Sequence, residues 1–193
     1  MPPRLTHRPL LFAAVIIFCQ ILTNCTQTGS AYDRARSETG LLEWQGVHQL
    51  LRTDFPNVPT VTTDQLADAL TDERPVLLLD VRDASEFLVS HLPNAQLVQS
   101  TDDIATSLEN ISSDTLIVAY CSVGYRSAQL INELQQRGIT TAFNLEGSIF
   151  AWANAGLPIY RGESQVRQVH PFNNSWGQLL NPELWAFTPT SEP

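Results

Sequence analysis

From about residue 58 to residue 160, short apolar runs alternate with amphipathic stretches. Val58-Pro59-Thr60-Val61 reads as a brief opening strand. Thr62 followed three residues later by Gln65 has the spacing of a capping box, in which each residue's side chain bonds the other's backbone N–H, so a helix is predicted over Asp64 to Leu70. Past Pro75, the run Val76-Leu77-Leu78-Leu79-Asp80-Val81 suits a strand covered on both faces, as in a parallel sheet. Ala95 to Val98 is a weaker strand, Thr101 to Glu109 a helix, and Thr115 to Tyr120 a second deeply apolar strand. A helix from Ser127 to Arg137 closed by Gly138, a strand from Thr141 to Leu145 and a helix from Ser148 to Ala155 complete the series. Strands that alternate with helices predict an α/β fold, with a mostly parallel central sheet and helices on both faces.

The flanks read differently. Residues 1–30 hold Arg4, His7 and Arg8 ahead of an apolar run from Leu10 to Leu22, roughly 13 residues long, which is the length of a signal-peptide core and short of the ~20 needed to span a bilayer. Leu22-Thr23-Asn24-Cys25 is similar to the box of bacterial lipoproteins, with Asn24 larger than the usual small residue, so Cys25 is the expected lipidation site. The expectation is an exported protein, periplasmic or extracytoplasmic, tethered to a membrane through its N-terminus; cleavage to a soluble secreted form and an uncleaved short anchor are the alternatives. In residues 31–57, Leu41, Leu42, Val47, Leu50 and Leu51 recur at near-helical spacing around Trp44, which predicts a linker helix. Residues 161–193 mix aromatic residues with turn formers, most densely from Val169 to Trp176. Free tails are usually poorer in Trp and Phe, so this segment is predicted to pack back on the domain, with His170 at a surface turn.

Composition narrows the function. The 193 residues suffice for one sizeable core. A net charge of -9 and the absence of Lys speak against nucleic-acid binding, which needs clustered cations, and exclude Schiff-base chemistry on a lysine. Three cysteines, Cys19, Cys25 and Cys121, form no disulfide framework, and four scattered His give no metal ligand set. No cofactor is expected.

Cys121 directly follows the strand that ends at Tyr120, where ligands of open parallel sheets sit. In Cys121-Ser122-Val123-Gly124-Tyr125-Arg126, the cysteine faces a helix N-terminus, Gly124 permits a tight curl of inward-pointing amides, and Arg126 adds a permanent positive charge. These environments acidify a thiol into a nucleophilic thiolate. An inert buried cysteine is the competing account, and Gly124 and Arg126 at these offsets weigh against it.

The chain resembles the rhodanese family from about Val58 to Tyr160. Four pieces carry the likeness: Leu78-Leu79-Asp80-Val81-Arg82 with Glu86-Phe87; His91-Leu92-Pro93-Asn94-Ala95; Cys121 through Ser127; and Leu145-Glu146-Gly147 with Ala151-Trp152. The resemblance implies a sulfurtransferase in which Cys121 takes the outer sulfur of a small anionic donor such as thiosulfate, or of a persulfide, and passes it to cyanide or a thiol. The amides of Ser122, Val123, Gly124, Tyr125 and Arg126 would cradle the persulfide, Arg126 would orient the donor, and Asp80, Arg82 and Ser127 would support the loop. His91 is implied to be structural, and Arg82 and Glu86 are read as an ion pair. Asn94 and Ser148 stand where the family often has Gly. The six positions from Cys121 to Arg126 match the sulfurtransferase loop, one residue shorter than that of the phosphatase branch. A non-catalytic binding module displayed at a membrane is the alternative function, against which the intact Cys121, Gly124 and Arg126 argue.

Overall fold

The computed structural model describes residues 31–36, 42–98, 100–108 and 111–190. The leader, with Cys25 and its expected lipidation, lies outside them. Among the described residues no helix is long and apolar enough to cross a membrane.

Five parallel strands form the central sheet: β1 (Thr60–Val61), β2 (Val76–Asp80), β3 (Gln96–Leu97), β4 (Leu116–Tyr120) and β5 (Ala142–Leu145), in the order β1-β5-β4-β2-β3. The helices are α1 (Ala31–Arg34), α2 (Trp44–Asp54), α3 (Thr63–Thr71), α4 (Ala84–Val89), α5 (Thr101–Leu108), α6 (Tyr125–Gln136) and α7 (Ser148–Asn154). The capping box is present as expected: the Gln65 N–H donates to Thr62 Oγ1 at 3.2 Å, and the Thr62 N–H donates to Gln65 Oε1 at 3.0 Å.

Strand pleating sends alternate side chains to opposite faces, and two cores result. Leu78, Leu116, Val118 and Tyr120 pack with Leu66 of α3 and Ile149, Phe150 and Trp152 of α7. Leu79, Ile117 and Ala119 pack with Ile104 and Leu108 of α5 and Leu130, Ile131 and Leu134 of α6. Burial on both faces is why β2 and β4 read as continuous apolar runs.

Some elements differ from the sequence reading. α4 is new: six residues are too few for apolar periodicity to show. At the end of the expected domain, Tyr160 lies in an unpredicted hairpin of β6 (Ile159–Arg161) and β7 (Ser164–Val166) that turns at Gly162. The helix read as a linker is α2, and its Val47 and Leu50 belong to the first core, as do Val169, Leu179, Leu180 and Leu184 from the C-terminal segment.

Leu79 is fully buried between sheet, α5 and α6. Leu79→Ala is expected to lower stability by about 2–5 kcal/mol, the sum of lost transfer energy and the cavity left behind, as read from the urea midpoint at unchanged slope.

Candidate active site

β4 ends at Tyr120, and the chain curls through Cys121, Ser122, Val123 and Gly124 into α6. Gly124 sits at φ +107, left-handed backbone that glycine adopts without a Cβ penalty, and the curl turns its N–H back to donate to Cys121 Sγ at 3.1 Å. The loop is tied down from several directions. Ile149 and Phe150 N–H groups, at the open N-terminal turn of α7, donate to the Cys121 and Ser122 carbonyls, both at 3.2 Å. The Cys121 N–H donates to Ser148 Oγ at 3.1 Å. Buried Asn144 donates to the Gly124 carbonyl at 3.1 Å and accepts from Ser127 Oγ at 2.7 Å.

Arg126 folds back over this loop. Its Nη1 donates to Glu86 Oε2 at 2.8 Å and its Nη2 to Glu86 Oε1 at 2.9 Å, a two-pronged pair, and Nη2 also donates to Ser122 Oγ at 3.0 Å. Ser122 Oγ in turn donates to Glu86 Oε1 at 3.0 Å. Burial works against the charge of each partner, but their mutual hydrogen bonds more than offset it, so Glu86 holds its proton less tightly than a free carboxyl and Arg126 more tightly than a free guanidinium. Cys121 is 1 % exposed, and burial pushes its thiol up; the Arg126 charge and the backbone N–H groups of Ser127, Gly124 and Val123 outweigh that, leaving the thiol below its ordinary value. The arrangement favours the thiolate over the thiol relative to a free cysteine.

The supporting residues divide in a way the sequence reading did not anticipate. Arg82 does not pair with Glu86. It folds onto Asp80, two residues back at the end of β2, donating from Nε at 2.9 Å and from Nη2 at 2.7 Å, and it reaches the Ser90 carbonyl at 2.6 Å. The pair is fully buried beside Tyr120, over whose ring Arg82 lies at 5.7 Å. Asp80 is in register with Tyr120, so the support it gives the loop passes through the residue before Cys121. Glu86 faces the loop because the α4 turn presents its carboxylate there, where it also accepts from the Asp83 N–H at 3.0 Å.

Of the expected donor-binding residues, Ser122, Val123 and Arg126 line a cavity of about 180 Å3 over Cys121. The Tyr125 ring lines it too, while its hydroxyl donates to Asp54 Oδ2 at 2.9 Å and so anchors α2 to the loop. His91 is structural: its Nδ1 lies 2.9 Å from the Leu92 carbonyl, and its ring stacks on Phe87 at 4.3 Å. Asn94 and Ser148 have φ of +55 and +51, so both keep the left-handed backbone that a glycine would have. Sequence reasoning missed the roles of Asn144 and Ser148. It also missed Phe172 and Trp176, which wall the cavity, although their aromatic density had flagged the segment.

The family model of the Rhodanese-like domain matches residues 62–155. A "Sulfurtransferase" of Allochromatium vinosum is 36% identical over 106 residues, covering 55% of this chain and 98% of that protein. The chain belongs to the rhodanese-like domain family. Other rhodanese-domain relatives include the "Probable adenylyltransferase/sulfurtransferase MoeZ" of Mycobacterium tuberculosis, 35% identical over 100 residues; the match covers 51% of this chain and about a quarter of MoeZ, 26%. The "Thiosulfate sulfurtransferase GlpE" of Vibrio cholerae is 26% identical over 48% of this chain and 87% of its own. Among solved structures, a rhodanese-like domain protein from Staphylococcus aureus is 34% identical, with a TM-score of 0.42, over 49% of this chain and 91% of that one. The rhodanese match ends before Phe172 and Trp176, so the aromatic wall lies outside the matched segment.

The lowered thiol predicts a pH dependence whose sign follows from linkage. Between the lowered native pKa and the ordinary value of about 8.5 an unfolded cysteine keeps its proton while the native thiol gives it up, so the unfolded state binds more protons and native stability rises with pH across that window. Relative to Cys121→Ser, the wild type is expected to gain stability as pH rises toward the ordinary thiol range and to lose that gain as pH falls through the native pKa. Urea titrations at a series of pH values test this. Alkylation by iodoacetamide should show the same low inflection, moved upward in Arg126→Gln.

Proposed function

We propose that the protein is a sulfurtransferase that carries sulfur as a persulfide on Cys121. The observation that supports this reading most directly is the lowered thiol of Cys121 within a cradle of backbone N–H groups at the N-terminus of α6. Thiolate is the attacking form, and a ring of donors fits the negative charge that the persulfide retains. In the forward step Cys121 Sγ attacks the outer sulfur of the donor. With thiosulfate the S–S bond breaks, sulfite departs with the bonding pair, and Cys121 is left as an S–S anion. In the return step a cyanide or thiolate acceptor attacks that terminal sulfur and regenerates the Cys121 thiolate. Charge and atoms balance in both steps without an external oxidant. Gly124, Ser122 and Val123 position the sulfur, Arg126 offsets its charge, and Asp80, Arg82 and Ser127 hold the loop. We assign export and a membrane tether through Cys25 to the leader as part of the same proposal; the mass of the mature N-terminus tests it.

The experiment is thiosulfate:cyanide turnover by the full chain and by Cys121→Ser, with intact-mass detection of one added sulfur atom. Turnover and an added sulfur, both abolished in Cys121→Ser, are the expected result. A folded protein that neither turns over nor takes up sulfur from any donor would favour a binding module instead.

A further inference from the structure

The C-terminal segment adds an apolar wall to the cavity over Cys121. The cavity of about 180 Å3 is lined by Cys121, Val123, Tyr125, Arg126, Phe172 and Trp176, and a tight turn of backbone holds the two aromatic residues there. The Phe172 N–H donates to His170 Nδ1 at 3.1 Å, and Asn173 Oδ1 accepts from the N–H groups of Ser175 at 3.0 Å and Trp176 at 2.9 Å. Phe172 has φ +62, a left-handed conformation disfavoured for a bulky residue and retained only where its surroundings fix it.

Arg126 is the charged side chain among the described residues lining the cavity, and its charge is already countered by the two-pronged pair with Glu86. The Phe172 ring covers the guanidinium at 4.8 Å, a cation-π contact that sets an apolar edge where a donor's anionic group would need to approach. Asp83 Oδ2 stands 3.9 Å from Arg126 Nη1, and the chain as a whole carries -9, so a dianion also meets like charge. The cavity falls below the roughly 300–1,000 Å3 typical of drug-sized pockets, which limits the occupant to a small group.

We infer that the site takes its sulfur from a persulfide R–S–SH whose R is a small uncharged alkyl or aryl group, seated between Phe172 and Trp176, and that Phe172 sets this preference. The inference rests on Cys121 being the sulfur carrier. Cys121 thiolate attacks the terminal sulfur of R–S–SH, that S–S bond breaks, R–S⁻ leaves with the bonding pair, and Cys121–S–SH remains.

The test compares donors of equal S–S chemistry and different tails on the full chain: benzyl persulfide and the persulfide of mercaptoethanesulfonate, with thiosulfate alongside, following sulfur loading of Cys121 by intact mass in single turnover. The expected result is a preference for the benzyl donor of about tenfold or more, the range in which apolar pockets discriminate, collapsing toward parity in Phe172→Ala and retained in Phe172→Leu. Phe172 is 39 % exposed, so its truncation spares the core, and the thermal midpoint of each variant verifies the fold. Equal loading from both persulfides, or a preference that Phe172→Ala leaves intact, overturns the inference while leaving sulfur transfer standing. No loading from any of the three donors overturns both.

Discussion

Glu86 carries a negative charge where almost no water reaches it, and the loop around Cys121 depends on that charge being answered. A buried carboxylate is costly unless it is paired and hydrogen-bonded on both oxygens. Here Arg126 takes both oxygens, Ser122 and the Asp83 N–H take further lone pairs, and the loop that contributes Ser122 and Arg126 is drawn against α4. Removing Arg126 would strand a carboxylate that is almost fully buried. With Arg126 drawn in, its positive charge lies close enough to lower the Cys121 thiol. The same pair fixes shape and electrostatics at once.

The second ion pair, Asp80 with Arg82, does a separate job. It closes the end of β2 beside Tyr120, over whose ring Arg82 lies at 5.7 Å, and the Tyr120 hydroxyl accepts from the Leu92 N–H at 3.1 Å. The two pairs thus brace the strand that delivers Cys121 and the helix that receives the chain after it. Strand ends position the nucleophile because the sheet cannot shift without breaking its hydrogen-bonded register.

The sheet, its buried strands and the place of Cys121 were legible because each rests on local signals: apolar runs for β2 and β4, a capping box for α3, and a cysteine, glycine and arginine at fixed offsets. Ion-pair partners were not. Arg82 and Glu86 are four apart and look paired, yet Glu86 bonds to a residue forty positions on, and only the folded loop brings them together. Asn144 gave no signal at all, since a single polar residue in a strand does not announce that it bonds a loop twenty residues earlier. Phe172 and Trp176 showed as aromatic density with no address.

Ser148 shows how such a site accommodates departures from the usual residue. At φ +51 a side chain is disfavoured, and glycine would adopt the turn more readily. The serine returns something for that strain: its hydroxyl accepts from the Cys121 N–H at 3.1 Å and donates to the Leu145 carbonyl at 3.3 Å, satisfying two backbone groups that are shut off from water. A glycine there would leave the Cys121 amide without this acceptor. The strain therefore sits next to the reacting residue, where one more fixed hydrogen bond reduces the freedom of the loop. The same logic applies to Phe172, whose left-handed backbone holds an aromatic ring over Arg126. Both strained positions contribute a side chain that glycine lacks: one holds the Cys121 amide, and the other lines the cavity over Arg126.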